Sequence, residues 1–336
     1  MHSHDAGEGH AAGLQGTYHD LETCVRYAQR MNALLLEKCP VCQGPIALWR
    51  TKTTLHGAFP ICRCARCGLA FVNPRPSLEF LTAFYTNVGN AGHPGANGAS
   101  LSWVMEEEKH FPNSTIDARE VMSQICAHTK IDPRHKARTL LDVGCGYGFF
   151  TRQAMQLGFE VTAIELGPSR KIAEEMTGVV PHAVPFETFE CPRASFCAIV
   201  MSQVMEHVQD VNLWTRRAFE LLEPGGVLAI ALPHFDALTR RVLKENDPFI
   251  TPPEHLNFFT ASSLRQLLIQ HGFETGATEY RSRIPPRGIE RRLGRFGKPA
   301  VAAARFAAKS MAYGMDVLGM GMMLRVYGIK PTHATA

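Results

Sequence analysis

From Thr139 onward the sequence alternates short apolar runs with helical stretches, and this alternation constrains the fold more than any other feature. Strands are expected at 139–143, 160–164, 179–184, 196–201, 227–232, 275–281 and 322–328. Helices are expected between them, at 149–157, 169–176, 211–222 and 261–271. Strands separated by helices pair in parallel, and the crossover helices cover both faces of one sheet. The turn Glu223-Pro224-Gly225-Gly226 returns the chain to an apolar strand, and no internal repeat is present. The fold class that follows is α/β, with seven strands in one sheet.

The first of these strands ends in Asp142-Val143-Gly144-Cys145-Gly146-Tyr147-Gly148 and opens into a helix. Glycines there let a ligand approach the backbone, and a helix start offers N–H groups. The dinucleotide fingerprint is G-x-G-x-x-G; here the third glycine comes one residue early. Asp142 also stands two residues before the first glycine, where a carboxylate would repel a pyrophosphate and favour a cation. S-adenosylmethionine carries a sulfonium and an ammonium and no phosphate, so it fits that acid. Glu165 closes the second strand, where a carboxylate can accept both ribose hydroxyls.

Cys39-Pro40-Val41-Cys42 and Cys64-Ala65-Arg66-Cys67-Gly68 are paired C-x-x-C knuckles. Four thiolates at this spacing suit tetrahedral zinc, and an all-cysteine set leaves no open position, so the expected role is structural. Cys62 is the spare thiol, and the register with Cys67 favours Cys64 as the ligand. Such a module takes folding free energy from its metal.

Residues 138–283 and 320–331 resemble a class I S-adenosylmethionine-dependent methyltransferase core. The segments Met201-Ser202-Gln203-Val204-Met205-Glu206-His207 and Pro253-Glu254-His255-Leu256-Asn257-Phe258-Phe259-Thr260 resemble two motifs of a bacterial family that includes the ubiquinone-synthesis O-methyltransferases and members bearing a zinc ribbon. The resemblance implies a Rossmann-like seven-stranded methyltransferase sheet with an N-terminal zinc ribbon. It implies that Asp142, Gly144, Cys145 and Gly146 line the methionine part of the cofactor and that Glu165 holds the ribose. Phe186 and Glu187 would flank adenine, and Ser202 and Gln203 would sit beside the methyl group. His207 and His255 are the candidate general bases, since a histidine titrates near neutrality, and His234 is a more distant one. The related enzymes carry Glu where this chain has Gln203, which argues against a magnesium-assisted mechanism.

The expected organisation is a disordered tail and short helix over 1–36 (the helix within 20–37), a zinc ribbon at 37–76 and a helical linker at 77–137. That linker holds a loop at 88–100 and a helix at 115–129. The methyltransferase domain follows at 138–331 with a basic helical insertion at 284–318. Net charge is +4 over 336 residues, too mild by itself to argue for nucleic acid. Between Arg281 and Lys309, however, nine basic residues face one acid, Glu290. That basic segment is a candidate for peripheral membrane contact. No secretory signal or transmembrane run is recognised, and ten cysteines without a signal fit a reducing compartment, so the cytoplasm is expected. The function expected is methyl transfer to a small-molecule acceptor, as a hydroxyl of a sugar, quinone-like or secondary metabolite. The alternatives are an RNA methyltransferase that reads RNA through the ribbon, and a non-catalytic zinc-ribbon interaction protein. The ribbon lacks an evident basic-aromatic surface, which argues against nucleic acid.

Overall fold

The computed structural model describes residues 33–84, 99–129 and 138–332. The tail, most of the 20–37 helix and most of the 88–100 loop lie outside the described residues.

Strands β4 (Thr139–Val143), β5 (Glu160–Ile164), β6 (Phe196–Ser202) and β7 (Leu222–Pro233) pair in parallel. Strands β9 (Glu274–Arg281) and β10 (Met323–Ile329) complete the sheet, in the order β5-β4-β6-β7-β10-β9, with β10 antiparallel to both its neighbours. Among the described residues the sheet has six strands rather than seven. The expected strand at 179–184 reduces to one parallel bridge between Ile164 and His182. His182 N–H donates to Ala163 and Glu165 N–H donates to His182, but Pro181 and Pro185 have no N–H to extend the ladder.

Successive residues on each strand face opposite sides, so strands covered on both faces read as continuous apolar runs. Leu141, Val143, Ile199, Met201, Leu228 and Ile230 belong to one core, and Leu140, Ala198, Val200, Val227 and Ala229 to the other. The second core is closed by α3 (Asn113–Thr129), α4 (Phe149–Gln156) and α5 (Arg170–Thr177). Ala118, Val121, Met122 and Ile125 are the buried stripe of α3, which thus joins the sheet's helical layer although its segment reads as a linker. The first core is covered by α6 (Val211–Leu221) and α8 (Ala261–Gln270). Thr260 caps α8 in a capping box with Ser263.

The cysteine module is an antiparallel sheet of β1 (Ile46–Thr54), β2 (Gly57–Cys64) and β3 (Ala70–Val72). Its fourth strand, β8 (Asn257–Phe258), comes from the connection between β7 and β9, so that β3 is not an edge. Cys39, Val41, Leu69 and Phe71 merge into the first core of the large sheet. Two short helices, α1 (Leu78–Phe84) and α2 (Leu101–His110), follow the module, and α7 (Leu238–Leu243) follows β7. The basic insertion forms α9 (Pro286–Leu293) and α10 (Lys298–Val317).

A buried ion network ties α3 to the far strands. Arg325 on β10, 2% exposed, pairs with Asp117 and Glu120, and Arg281 and Arg283 reach the same acids. Two of the nine charges of the basic segment are therefore spent inside the fold.

Candidate active site

The sheet order places β4 between β5 and β6, so the chain turns to opposite sides after β4, and ligands in such sheets bind beyond the strand C-termini at that point. The glycine loop after β4 and the segment after β6 both lie there. Gly144 has φ of +68°, and a Cβ on it would stand 2.7 Å from a Val204 methyl, so only glycine lets the two segments meet. Gly146 has φ of +55° and open space where a Cβ would be.

Most amides of the loop are already used. Gly144 and Cys145 N–H both donate to Ile164 O, and Gly146 N–H donates to Glu165 Oε2 at 2.9 Å. Glu165 Oε1 accepts from Gly167 N–H at 2.6 Å. The Glu165 carboxylate is thereby locked across the loop with lone pairs left over, as a ribose diol would need. A loop with few spare N–H donors and two acids suits a cation better than a phosphate. Asp142 is 2% exposed and lies behind the loop, where Oδ2 accepts from the Thr151 hydroxyl at 2.7 Å. Burial pushes its carboxyl up to about 6, with Thr151 opposing. Burial likewise raises the Cys145 thiol, which stays neutral.

The two adenine candidates are engaged with α6. The buried Phe186 ring packs 4.9 Å from Trp214, and Glu187 Oε1 accepts from Trp214 Nε1–H at 2.7 Å. Ser202 is half-buried at the end of β6. Gln203 is exposed with φ of +57°, and its N–H donates to Ala231 O at 2.7 Å.

The structure brings His207 and His255 together, with ring centroids 4.7 Å apart and planes at 78°. His207 Nδ1 lies 2.9 Å from Glu254 O, and His255 Nδ1 lies 2.8 Å from Phe249 O. A carbonyl only accepts, so each Nδ1 carries a proton, and the neutral form of either ring keeps Nε2 as an acceptor. Beside them is Glu206, which the sequence did not single out. It is 1% exposed, neither carboxyl oxygen has a hydrogen-bond partner on another of the described residues, and burial pushes it up to about 8. One ligand atom each from Glu206, His207 and His255 lies within 4.8 Å of the others, so a cation here would draw on these three rather than on position 203. His234 is buried, with Nδ1 3.0 Å from Gly321 O. It lines a small cavity with Glu206, Phe235, Arg240, Asp247 and His255.

Two buried polar residues connect this cluster to the cysteine module. Arg75, beyond β3, donates to Leu256 O and to Asn257 Oδ1. Asn257 Nδ2–H donates to Met205 O and Val208 O, while the Leu256 and Asn257 amides donate to Glu206 O. The loop carrying Glu206 and His207 is thus held from both sides by β8.

In the module itself, Cys39, Cys42, Cys64 and Cys67 converge, with all four sulfurs within 4.8 Å of one another. Cys39 Sγ lies 3.6 Å from Cys67 Sγ and Cys42 Sγ 3.4 Å from Cys64 Sγ. The neighbouring Cys67 thiol holds Cys39 well below the usual thiol range, at about 5. Cys62 lies apart, 3.7 Å from Asn73 Nδ2.

Residues 112–277 match the family described as "Methyltransferase domain". A ubiquinone biosynthesis O-methyltransferase of Paramagnetospirillum magneticum is 36% identical over 94 residues, covering 26% of this chain and 38% of that protein. A probable S-adenosylmethionine-dependent methyltransferase of Mycobacterium tuberculosis is 26% identical over 188 residues, 54% of this chain and 65% of that protein. The chain thus spans less than two thirds of the length of these curated relatives. Among solved structures, 1,6-didemethyltoxoflavin-N1-methyltransferase of Burkholderia thailandensis aligns over 80% of this chain and 96% of its own, at 18% identity and a TM-score of 0.48.

Proposed function

The chain belongs to the S-adenosylmethionine-dependent methyltransferases through its domain at residues 112–277, and on that premise we propose that it methylates a hydroxyl of a small molecule of the sugar, quinone-like or secondary-metabolite class. The observation that carries the cofactor side of this reading is the Glu165 carboxylate, fixed by Gly146 and Gly167 N–H across the glycine loop at the switch point of the sheet; the acceptor class rests on the resemblance to the ubiquinone-synthesis O-methyltransferases. When bound, the cofactor supplies an electrophilic methyl carbon. The residues of the chain seat it and deal with the acceptor's proton. Glu165 takes the ribose, and the acids of the loop favour the positive charge. His207 or His255 receives the acceptor proton at Nε2, the tautomer being set by the Glu254 and Phe249 carbonyls. Phe186 and Glu187 contribute through Trp214 and α6 to the adenine side.

The four cysteines fit a single structural zinc ion. Sulfurs bound tetrahedrally at ~2.3 Å from zinc stand about 3.8 Å apart, close to the 3.4 and 3.6 Å observed. The Arg66 amide, 3.3 Å from Cys64 Sγ, adds the N–H donor that such a thiolate needs.

Calorimetric titration with S-adenosylhomocysteine tests the reading. The unaltered chain is expected to bind, and Glu165→Ala to lose roughly 10- to 100-fold in affinity, the worth of hydrogen bonds to a charged group. A chain that does not bind the product, or a Glu165→Ala variant that binds it as well, overturns the assignment. Once binding is established, acceptors are screened by release of S-adenosylhomocysteine.

A further inference from the structure

We propose that the α9–α10 hairpin is a docking surface for a lipid bilayer with anionic headgroups, an interaction separate from methyl transfer. Helix α10 lays one stripe on the protein: Val301, Ala304, Ala308, Ala312 and Met315 recur at three- and four-residue spacing and are partly or fully buried. The opposite face of a surface helix is ordinarily polar. Here it carries Phe306, Tyr313 and Val317, which are 75%, 72% and 66% exposed, and Leu318 follows at 69%. Phe306, Tyr313 and Val317 are seven and four residues apart and form a second apolar stripe that none of the described residues covers.

Cations flank that stripe. Lys298, Arg305 and Lys309 fall along one edge of α10 by the same periodicity, and Arg291, Arg292 and Arg295 are exposed at the end of α9 and just beyond it. Arg305 pairs with Glu290 at 3.2 Å. Arg295 lies over the exposed Phe296 ring at 4.6 Å. Arg291, Arg292, Lys298 and Lys309 have no ion pair among the described residues. A cleft of about 340 Å³ opens between the helices, lined by Lys298 and Arg305 together with Glu290.

The combination decides the occupant. Basic residues beside aromatic and aliphatic ones are what the boundary of an anionic bilayer takes up, with rings at headgroup level and cations against phosphate. A nucleic acid would use the charges but leave Val317, Leu318 and Met311 idle, since these have no ring to stack on a base. No described helix is long and apolar enough to cross a membrane, and α10 is interrupted by Arg305, Lys309 and Asp316, so it lies along the surface rather than through it. The helix runs into residues 320–322, whose carbonyls accept from Leu238 and His234 just beyond the end of β7. The surface therefore borders the edge of the sheet where the site lies.

The test is flotation of the full chain with vesicles of phosphatidylcholine alone and of phosphatidylcholine mixed with phosphatidylglycerol. The chain is expected to float with the mixed vesicles and not with the neutral ones, and added salt is expected to release it. A variant carrying Arg291→Glu, Arg292→Glu and Arg295→Glu loses more than tenfold in partitioning, since each cation contributes roughly fivefold. Phe306→Ser with Tyr313→Ser loses at least roughly tenfold, and both variants keep the thermal midpoint because the side chains are exposed. Absence of flotation, equal flotation with neutral vesicles, or indifference to both variants overturns the proposal. Salt-sensitive binding of a single-stranded RNA that displaces the vesicles, lost on charge reversal and kept in the serine variant, also overturns it and assigns the surface to nucleic acid.

Discussion

Glu206 is the residue whose environment is most at odds with its chemistry. Its carboxyl is fully buried with no hydrogen bond to another of the described residues, and burial lifts it from the usual carboxylate range to about 8. The folded chain therefore holds a proton that the unfolded chain has released, and its stability falls as pH rises from the ordinary carboxylate range through about 8. Each pH unit inside that window costs about 1.4 kcal/mol. Glu206→Gln removes the dependence: its thermal midpoint should be near that of the parent at pH 5 and clearly above it at pH 9. A difference that does not grow with pH would show the carboxyl to be ionised at neutrality. Thr151 gives the complementary case, because Thr151→Ala strips the Asp142 carboxylate of its hydroxyl donor and should cost about 1–3 kcal/mol by denaturant unfolding. The sequence already marked Asp142, Glu165, His207 and His255, since each stands in a motif read along the chain. It did not mark Glu206 or Thr151, whose roles depend on which side chains end up dry and beside one another.

Among the elements, β8 and α3 carry couplings that no local pattern announces. A two-residue strand has too few positions to show a period, so Asn257–Phe258 reads as loop until its partner β3 is known. Asn257→Ala frees the Met205 and Val208 carbonyls and loosens the loop that holds Glu206 and His207. Its expected effect is a fall in kcat of tenfold or more with affinity for S-adenosylhomocysteine unchanged, since the glycine loop is untouched. Equal losses of both would point to general unfolding instead. In α3 the apolar stripe Val121, Met122 and Ile125 was legible from its spacing, but nothing in the sequence marks the part played by the acids Asp117 and Glu120 on the neighbouring face. They are partners of the buried Arg325. Arg325→Leu leaves both acids without that partner and should cost about 3–5 kcal/mol in chemical denaturation.

At the scale of the whole molecule, the cysteine module shares one core with the large sheet and takes its fourth strand from the connection between β7 and β9, so the two are expected to unfold together. The strand sequence of the large sheet was legible because buried parallel strands are long apolar runs bounded by glycine and proline. The union of the two parts was not, since pairing across the chain leaves no mark in either segment. A chelator that strips the four cysteines should therefore lower the midpoint of a single calorimetric transition, and zinc assay should return one ion per chain, lost in Cys39→Ser. Two separate transitions, with only the smaller moved by the chelator, would show independent units. The strand that finishes the small sheet also has a consequence for synthesis. Ala70 meets Phe258 only after β4 through β7 have been made, so during translation the growing chain holds the β3 edge open. An unpaired edge is a template for misassociation, and β3 is the apolar run Ala70-Phe71-Val72. A ribosome stalled after β7 would thus present the cysteine module as an unfinished sheet, and it is at that stage of its production that this chain most needs a chaperone.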